Sequence, residues 1–128
     1  MEPGDLKILL AEDNKMNQRL AELTFRQMGL KYDVAINGKE AFEKHQQNNY
    51  DLILMDMQMP VMDGLESTRL IRTFEKGFDG QHRAFIVALT ANEISENMGF
   101  CIEAGMDDFM EKPFQANKLR QLISRSFK

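Results

Sequence analysis

A chain of 128 residues, 43% hydrophobic and 28% charged, holds one domain with a single substantial core. Its net charge of −4 argues against a nucleic-acid-binding surface, and no apolar run approaches the ~20 residues that cross a bilayer. Met1-Glu2-Pro3-Gly4-Asp5 lacks the basic start and apolar stretch of a secretory signal, and one cysteine allows no internal disulfide. The expectation is a cytoplasmic domain over 6–128, with residues 1–5 a disordered lead.

Strand and helix patterns then alternate five times. Ile8-Leu9-Leu10-Ala11, within a strand over 6–11, is apolar without alternation, as in a strand buried on both faces. It closes on Glu12 and Asp13. Asn14 is placed to cap a helix whose apolar face is expected to include Met16, Leu20 and Leu23, with Ala21, Thr24 and Met28 beside them. Gly29 ends it as a left-handed residue would. A second strand over 32–36 leads through Asn37-Gly38 into a helix carrying Ala41, Phe42 and His45.

The third strand, Leu52-Ile53-Leu54-Met55, delivers Asp56 at its carboxyl end. Pro60 turns the loop 57–62 out of the sheet, and a helix runs from about 63 to 75. A polar, glycine-punctuated connection over 77–83 precedes a fourth strand at 85–89, which ends at Thr90. Ser95 is placed to cap a helix reaching Ala104, with Gly105 as its stop. Cys101 follows Ile94 and Met98 at helical spacing and is assigned to the core. A short strand over 106–110 is closed by Lys112-Pro113, a bond at which cis is accessible. Residues 114–127 form an amphipathic helix with Leu119, Leu122, Ile123 and Phe127 on its apolar side. His45 reads as a helix-face residue and His82 as a solvated one.

Five βα units with short connections imply an α/β doubly wound sandwich, a parallel sheet covered on both faces through right-handed crossovers. A closed eight-stranded barrel needs roughly twice this length. Open sheets of this kind bind ligands outside the carboxyl ends of their strands. Here those ends carry the acids Glu12, Asp13 and Asp56, the hydroxyl of Thr90 and the ammonium of Lys112.

Each residue taken alone has an ordinary reading. Glu12 and Asp13 would favour a helix dipole, Asp56 would be a strand-end acid and Lys112 a surface lysine. Taken together they conflict unless something compensates them. Two unit charges ~4 Å apart repel by about 4 kcal/mol at an effective dielectric near 20. A hard divalent cation removes that conflict, and Mg²⁺ suits a few carboxylates completed by water and phosphate. The backbone carbonyl of Gln58 can face such an ion. Met55, Met57, Met59 and Met62 read as adaptable packing, since thioethers do not suit an oxygen-rich site.

Four pieces, Leu-Leu-Ala-Glu-Asp-Asn (9–14), Met-Asp-Met-Gln-Met-Pro-Val-Met-Asp-Gly (55–64), Ala-Leu-Thr-Ala (88–91) and Asp-Asp-Phe-Met-Glu-Lys-Pro-Phe (107–114), occur in this order. Together they resemble the receiver domain of two-component response regulators, most closely the receivers of hybrid sensor histidine kinases. The resemblance implies a (βα)5 flavodoxin-like sandwich with strand order 2-1-3-4-5. It implies Asp56 as phosphoacceptor, with Glu12, Asp13, Asp56 and the Gln58 carbonyl around Mg²⁺ or Mn²⁺. Lys112 would pair with the acyl phosphate, Thr90 and Phe109 would be the switch pair, and Gln58 and Asn92 would tune dephosphorylation. Phe109 lacks the hydroxyl of the commoner tyrosine, and the connection from Phe74 to Arg83 is longer than in compact members.

The implied partner is a histidine kinase dimerisation domain or a histidine phosphotransfer protein, with no nucleic acid bound directly and no membrane insertion. The isolated domain is expected not to be an enzyme beyond assisting its own phosphorylation and dephosphorylation. No output domain is expected with it; it is read as part of a hybrid kinase, with a free-standing regulator as the alternative. A metal-dependent phosphatase would need an acid or base where Gln58 stands. A degenerate interaction module would lack an acid or the lysine.

Overall fold

A computed structural model describes residues 5–78, 82–90 and 98–127. Strands and helices alternate as β1 (Ile8–Ala11), α1 (Lys15–Met28), β2 (Asp33–Ala35), α2 (Gly38–Asn48), β3 (Leu52–Asp56), α3 (Gly64–Phe78), β4 (Phe85–Thr90), α4 (Met98–Ala104), β5 (Asp108–Glu111) and α5 (Ala116–Ser126). The strands form one parallel sheet in the order β2-β1-β3-β4-β5. This is the expected flavodoxin-like sandwich. The expected disordered lead over 1–5 falls, apart from Asp5, outside the described residues, as do Asn92 and the Ser95 cap.

Burial on both faces explains the unbroken apolar strands. Ile8, Leu10, Leu52, Leu54, Val87 and Leu89 pack with Ala21 and Phe25 of α1 and with Leu119, Leu122 and Ile123 of α5. Leu9, Ala11, Ile53, Met55, Ile86 and Ala88 face the other way, onto Ala41 of α2, Ile71 of α3 and Cys101 of α4. Neighbouring strand residues therefore feed opposite layers, as the pleat requires.

The predicted ends of α1 are present: the Asn14 side chain accepts the Asn17 N–H at 3.0 Å, and Gly29 closes the helix at φ 69°. Asn37, read in the sequence only as part of a turn, caps α2 by accepting the Glu40 N–H at 2.7 Å. Some expectations need correction. The stripe Met16, Leu20, Leu23 is 68%, 37% and 46% exposed; α1 buries Ala21, which was expected on the apolar face, and Phe25, which was not named. Helix α3 runs three residues past Glu75, and α5 begins at Ala116, because Phe114 is buried in the core and Gln115 is the capping residue.

His45 is fully buried, and His82 is partly buried rather than solvated. The Tyr50 N–H donates to His45 Nδ1 at 3.1 Å, leaving His45 Nε2 to donate to Glu75 Oε2 at 3.0 Å. His82 Nε2 donates to the Tyr50 carbonyl at 2.8 Å, and the two imidazoles lie 6.1 Å apart. Arg72 ties this group to the residues that lead into β4 and β5. Its guanidinium donates to Glu75 at 2.7 Å, the Ala84 carbonyl at 2.9 Å, the Gly105 carbonyl at 2.8 Å and Asp107 at 2.7 Å. Burial alone would push the Glu75 carboxyl up. Hydrogen bonds from His45, the Ala84 N–H and Arg72 overcome that and hold it below the usual carboxylate range.

Candidate functional site

The sheet register sets the rim. Ala11 pairs with Met55, so Glu12 and Asp56, one residue further along each strand, stand side by side. Asp56 pairs with Leu89 and Thr90 with Glu111, which brings Thr90 and the turn carrying Lys112 to the same edge. The Lys112 N–H donates to the Thr90 carbonyl at 2.7 Å, and the Lys112–Pro113 peptide is cis. Thr90 is buried at the end of β4.

Side chains then converge. Lys112 Nζ lies 3.1 Å from Asp56 Oδ2 and 3.4 Å from Glu12 Oε1. The Gln58 N–H donates to Asp56 Oδ1 at 3.2 Å, and the Asn14 N–H to Glu12 Oε2 at 3.1 Å. Glu12 is 1% exposed and Asp56 3%, whereas Asp13 faces solvent. One ammonium between these acids leaves negative charge in excess. The Glu12 carboxyl is pushed up to about 7, first by burial and then by the hydrogen-bonded Asp56 carboxyl; the Asn14 N–H and Lys112 oppose this only partly.

A cation fits this arrangement. One carboxylate oxygen from each of Glu12, Asp13 and Asp56 lies within 4.8 Å of the others. The donors are all oxygen, and a buried carboxyl close to half-protonated at neutral pH is short of positive charge. A hard divalent ion would supply it, with water or phosphate completing its shell on the Asp13 side.

The loop after β3 is clamped so that Asp56 keeps its place. The Gly64 N–H donates to the Met57 carbonyl at 3.2 Å, and a Cβ on Gly64 would collide with the Asp56 carbonyl oxygen. The Gly38 N–H holds the Met62 carbonyl at 2.9 Å, while Ser67 Oγ donates to the Gly38 carbonyl at 2.7 Å. Asp63 accepts the Glu66 N–H at 2.9 Å and so caps α3. Between these anchors Val61 adopts φ 69°, an uncommon conformation for a β-branched residue.

Glu12, Asp13, Asp56 and Lys112 are thus brought together, with Thr90 level with them. Gln58 follows two residues after Asp56 with its side chain exposed. Phe109, on β5 opposite Ala88, is half-buried against the second core layer, one strand away from the acids. Gln18, which the sequence reading passed over, reaches back from α1 to the Glu12 carbonyl at 2.7 Å. Its only signal in the sequence is a place in the first turn of α1, five residues after Asp13.

Comparison with known proteins follows the same lines. The family profile of the response regulator receiver domain matches residues 8–124. Hybrid signal transduction histidine kinase K of Dictyostelium discoideum is 43% identical over 92% of this chain, which spans 10% of that protein. Histidine kinase 5 of Arabidopsis thaliana is 39% identical over 93% of the chain, which spans 15% of it. The chain therefore covers only a small part of the curated relatives it matches. Among solved structures, the receiver domain of the Pseudomonas aeruginosa sensor histidine kinase PA1611, with magnesium in its active-site cleft, matches with TM-score 0.81 and 38% identity, covering 94% of this chain and 95% of that one. A chain of the co-crystal structure of the Saccharomyces cerevisiae phosphotransfer protein Ypd1 with the receiver domain of Ssk1 matches with TM-score 0.85 and 31% identity, covering 97% and 90%.

Proposed function

We propose, for a chain that belongs to the response regulator receiver family and is homologous to the receivers of hybrid histidine kinases, that Asp56 is its phosphoacceptor. One observation carries this reading: a single ammonium, Lys112 Nζ, stands within 3.4 Å of two buried carboxylates delivered by different strands. Glu12, Asp13, Asp56 and the Gln58 carbonyl would hold Mg²⁺, or Mn²⁺ in its place. When bound, the ion would neutralise the acids and the charge on the transferred phosphoryl oxygens.

The chain's own residues do the rest. An Asp56 carboxylate oxygen attacks the phosphorus of a partner's phosphohistidine. The new P–O bond forms as the P–N bond breaks, and the imidazole leaves and is reprotonated from solvent. Lys112, already aimed at Asp56 Oδ2, pairs with the developing charge, and the Gln58 N–H keeps Oδ1 oriented. The product adds about −1.5 to −2 charge at the rim. Thr90 would turn toward it and Phe109 would move in behind, repacking α4, β5 and α5. Gln58 and Asn92 would set the rate at which water removes the phosphoryl group.

The donor is read as a histidine kinase dimerisation domain or a histidine phosphotransfer protein. The co-crystallised receiver neighbour supports this, as do Met16, Leu20 and Leu23, whose exposure on α1 beside the rim suits an apolar helix of a partner. The domain is read as part of a hybrid kinase and as assisting only its own phosphorylation and dephosphorylation. Among the described residues no helix is long and apolar enough to cross a membrane. Treatment with acetyl phosphate and Mg²⁺ should add one phosphoryl group by intact mass. EDTA or Asp56→Asn should prevent it, and labelling that survives Asp56→Asn would place the acceptor elsewhere.

A further inference from the structure

Glu12 and Asp13 are joined by one peptide plane, and the orientation of that plane decides where both carboxylates point. The preceding peptide is fixed by the sheet, where the Glu12 N–H donates to the Ala35 carbonyl at 2.9 Å. The Glu12 carbonyl stands past the last ladder residue of β1. There the Gln18 side chain meets it, Nε2 to O at 2.7 Å. Gln18 is itself held, since its backbone N–H closes the first turn of α1 on the Asn14 carbonyl at 3.0 Å, and Asn14 caps that helix. The Asn14 N–H, Lys112 and the Asp56 carboxyl meet the Glu12 carboxylate itself, whereas Gln18 meets the main-chain carbonyl.

We infer that Gln18 is a positioning residue for the acidic pair: its amide pins the Glu12–Asp13 peptide so that both carboxylates face the ion. The inference rests on the metal-site reading above. Without the donor, the Glu12 carbonyl turns to water and Asp13, already at the surface, leaves its direction free. Ordering the pair must then be done by the metal at binding, which weakens affinity. The helix itself survives, because its cap and its buried residues Ala21 and Phe25 are untouched.

The test compares wild type with Gln18→Met, which keeps bulk and removes the donor, and Gln18→Arg, which keeps an N–H of similar reach. Calorimetric titration with Mg²⁺ alone should give a dissociation constant raised about fivefold or more in Gln18→Met, on the order expected for loss of one supporting hydrogen bond. Gln18→Arg should recover most of that loss at physiological salt. In EDTA, thermal midpoints of all three should agree, while the Glu12 carbonyl ¹³C resonance moves in Gln18→Met only. Equal Mg²⁺ affinity in wild type and Gln18→Met overturns the inference, as does equal weakening in both variants or an unmoved Glu12 resonance. Failure of the wild type to bind Mg²⁺ overturns instead the metal-site reading, and this inference with it.

Discussion

Replacing Glu12 with Gln should stabilise the metal-free protein while damaging its metal site. The Glu12 carboxyl is raised from the ordinary 4.5 to about 7 by burial and by Asp56. At pH below 4.5 it is protonated both folded and unfolded, so it costs nothing. As pH rises from 4.5 to 7 the unfolded chain ionises first, and stability falls. Above 7 the full difference applies, about 3 kcal/mol at ~1.4 kcal/mol per pKa unit, which solvent screening at the open rim reduces to about 2 kcal/mol. Glu12→Gln removes that penalty and retains an oxygen for the Asn14 N–H. Thermal unfolding at pH 8 in EDTA should show the variant melting about 7 °C higher for a chain of this size. Saturating Mg²⁺ should reverse the order, since wild type gains binding energy that the variant loses. By the same linkage, wild-type Mg²⁺ affinity should rise with pH until Glu12 is ionised, above about 7. A variant no more stable than wild type at pH 8 without metal would refute the claim that the acids are short of positive charge.

Gly64→Ala should cost about 2 kcal/mol by forcing a Cβ onto the Asp56 carbonyl, read as a lower urea midpoint; an unchanged midpoint would show that the loop gives way freely. Arg72→Met removes the partly buried cation shared by Glu75 and Asp107, leaving Asp107 only Arg83, and should cost on the order of 3 kcal/mol. It should also flatten the acid limb of stability. The Glu75 carboxyl is held below 4.5 when folded, so its contribution is present above that pH and is lost as pH falls through the lower folded value. An acid limb as steep in the variant as in wild type would remove Arg72 from that account. Thr90→Ala should still take up phosphate, with smaller ¹⁵N shift changes across β5 and α5 on phosphorylation. Wild-type-sized changes would deny Thr90 the switch role.

The site was legible because its residues sit where strands end. A run such as Leu52-Ile53-Leu54-Met55 marks its own carboxyl end, and a parallel sheet then brings the ends together without further information. The start of α1 was legible too, since Asn14 bonds within its own turn. What failed needed knowledge of distant partners. Helix α1 has apolar residues on two sides, Met16, Leu20 and Leu23 on one and Ala21 and Phe25 on the other, and periodicity alone could not say which side met the sheet. His45 is on a helix as read, but its burial was not legible because Glu75, its partner, is 30 positions away. Gln18 bonds a main-chain carbonyl, a contact with no side-chain pattern to announce it.

Asp56 can take phosphorus only if the carboxylates after β1 and β3 and the Lys112 ammonium gather the charge around it. A crystal structure grown with Mg²⁺ and beryllium fluoride, a mimic of the phosphoryl group, tests this most directly. It should show the fluoride group bonded to an Asp56 oxygen, Lys112 paired with it, and Mg²⁺ held by Glu12, Asp13 and Asp56. Density for either group away from Asp56, or Mg²⁺ bound with Glu12 and Asp13 turned aside, would contradict it.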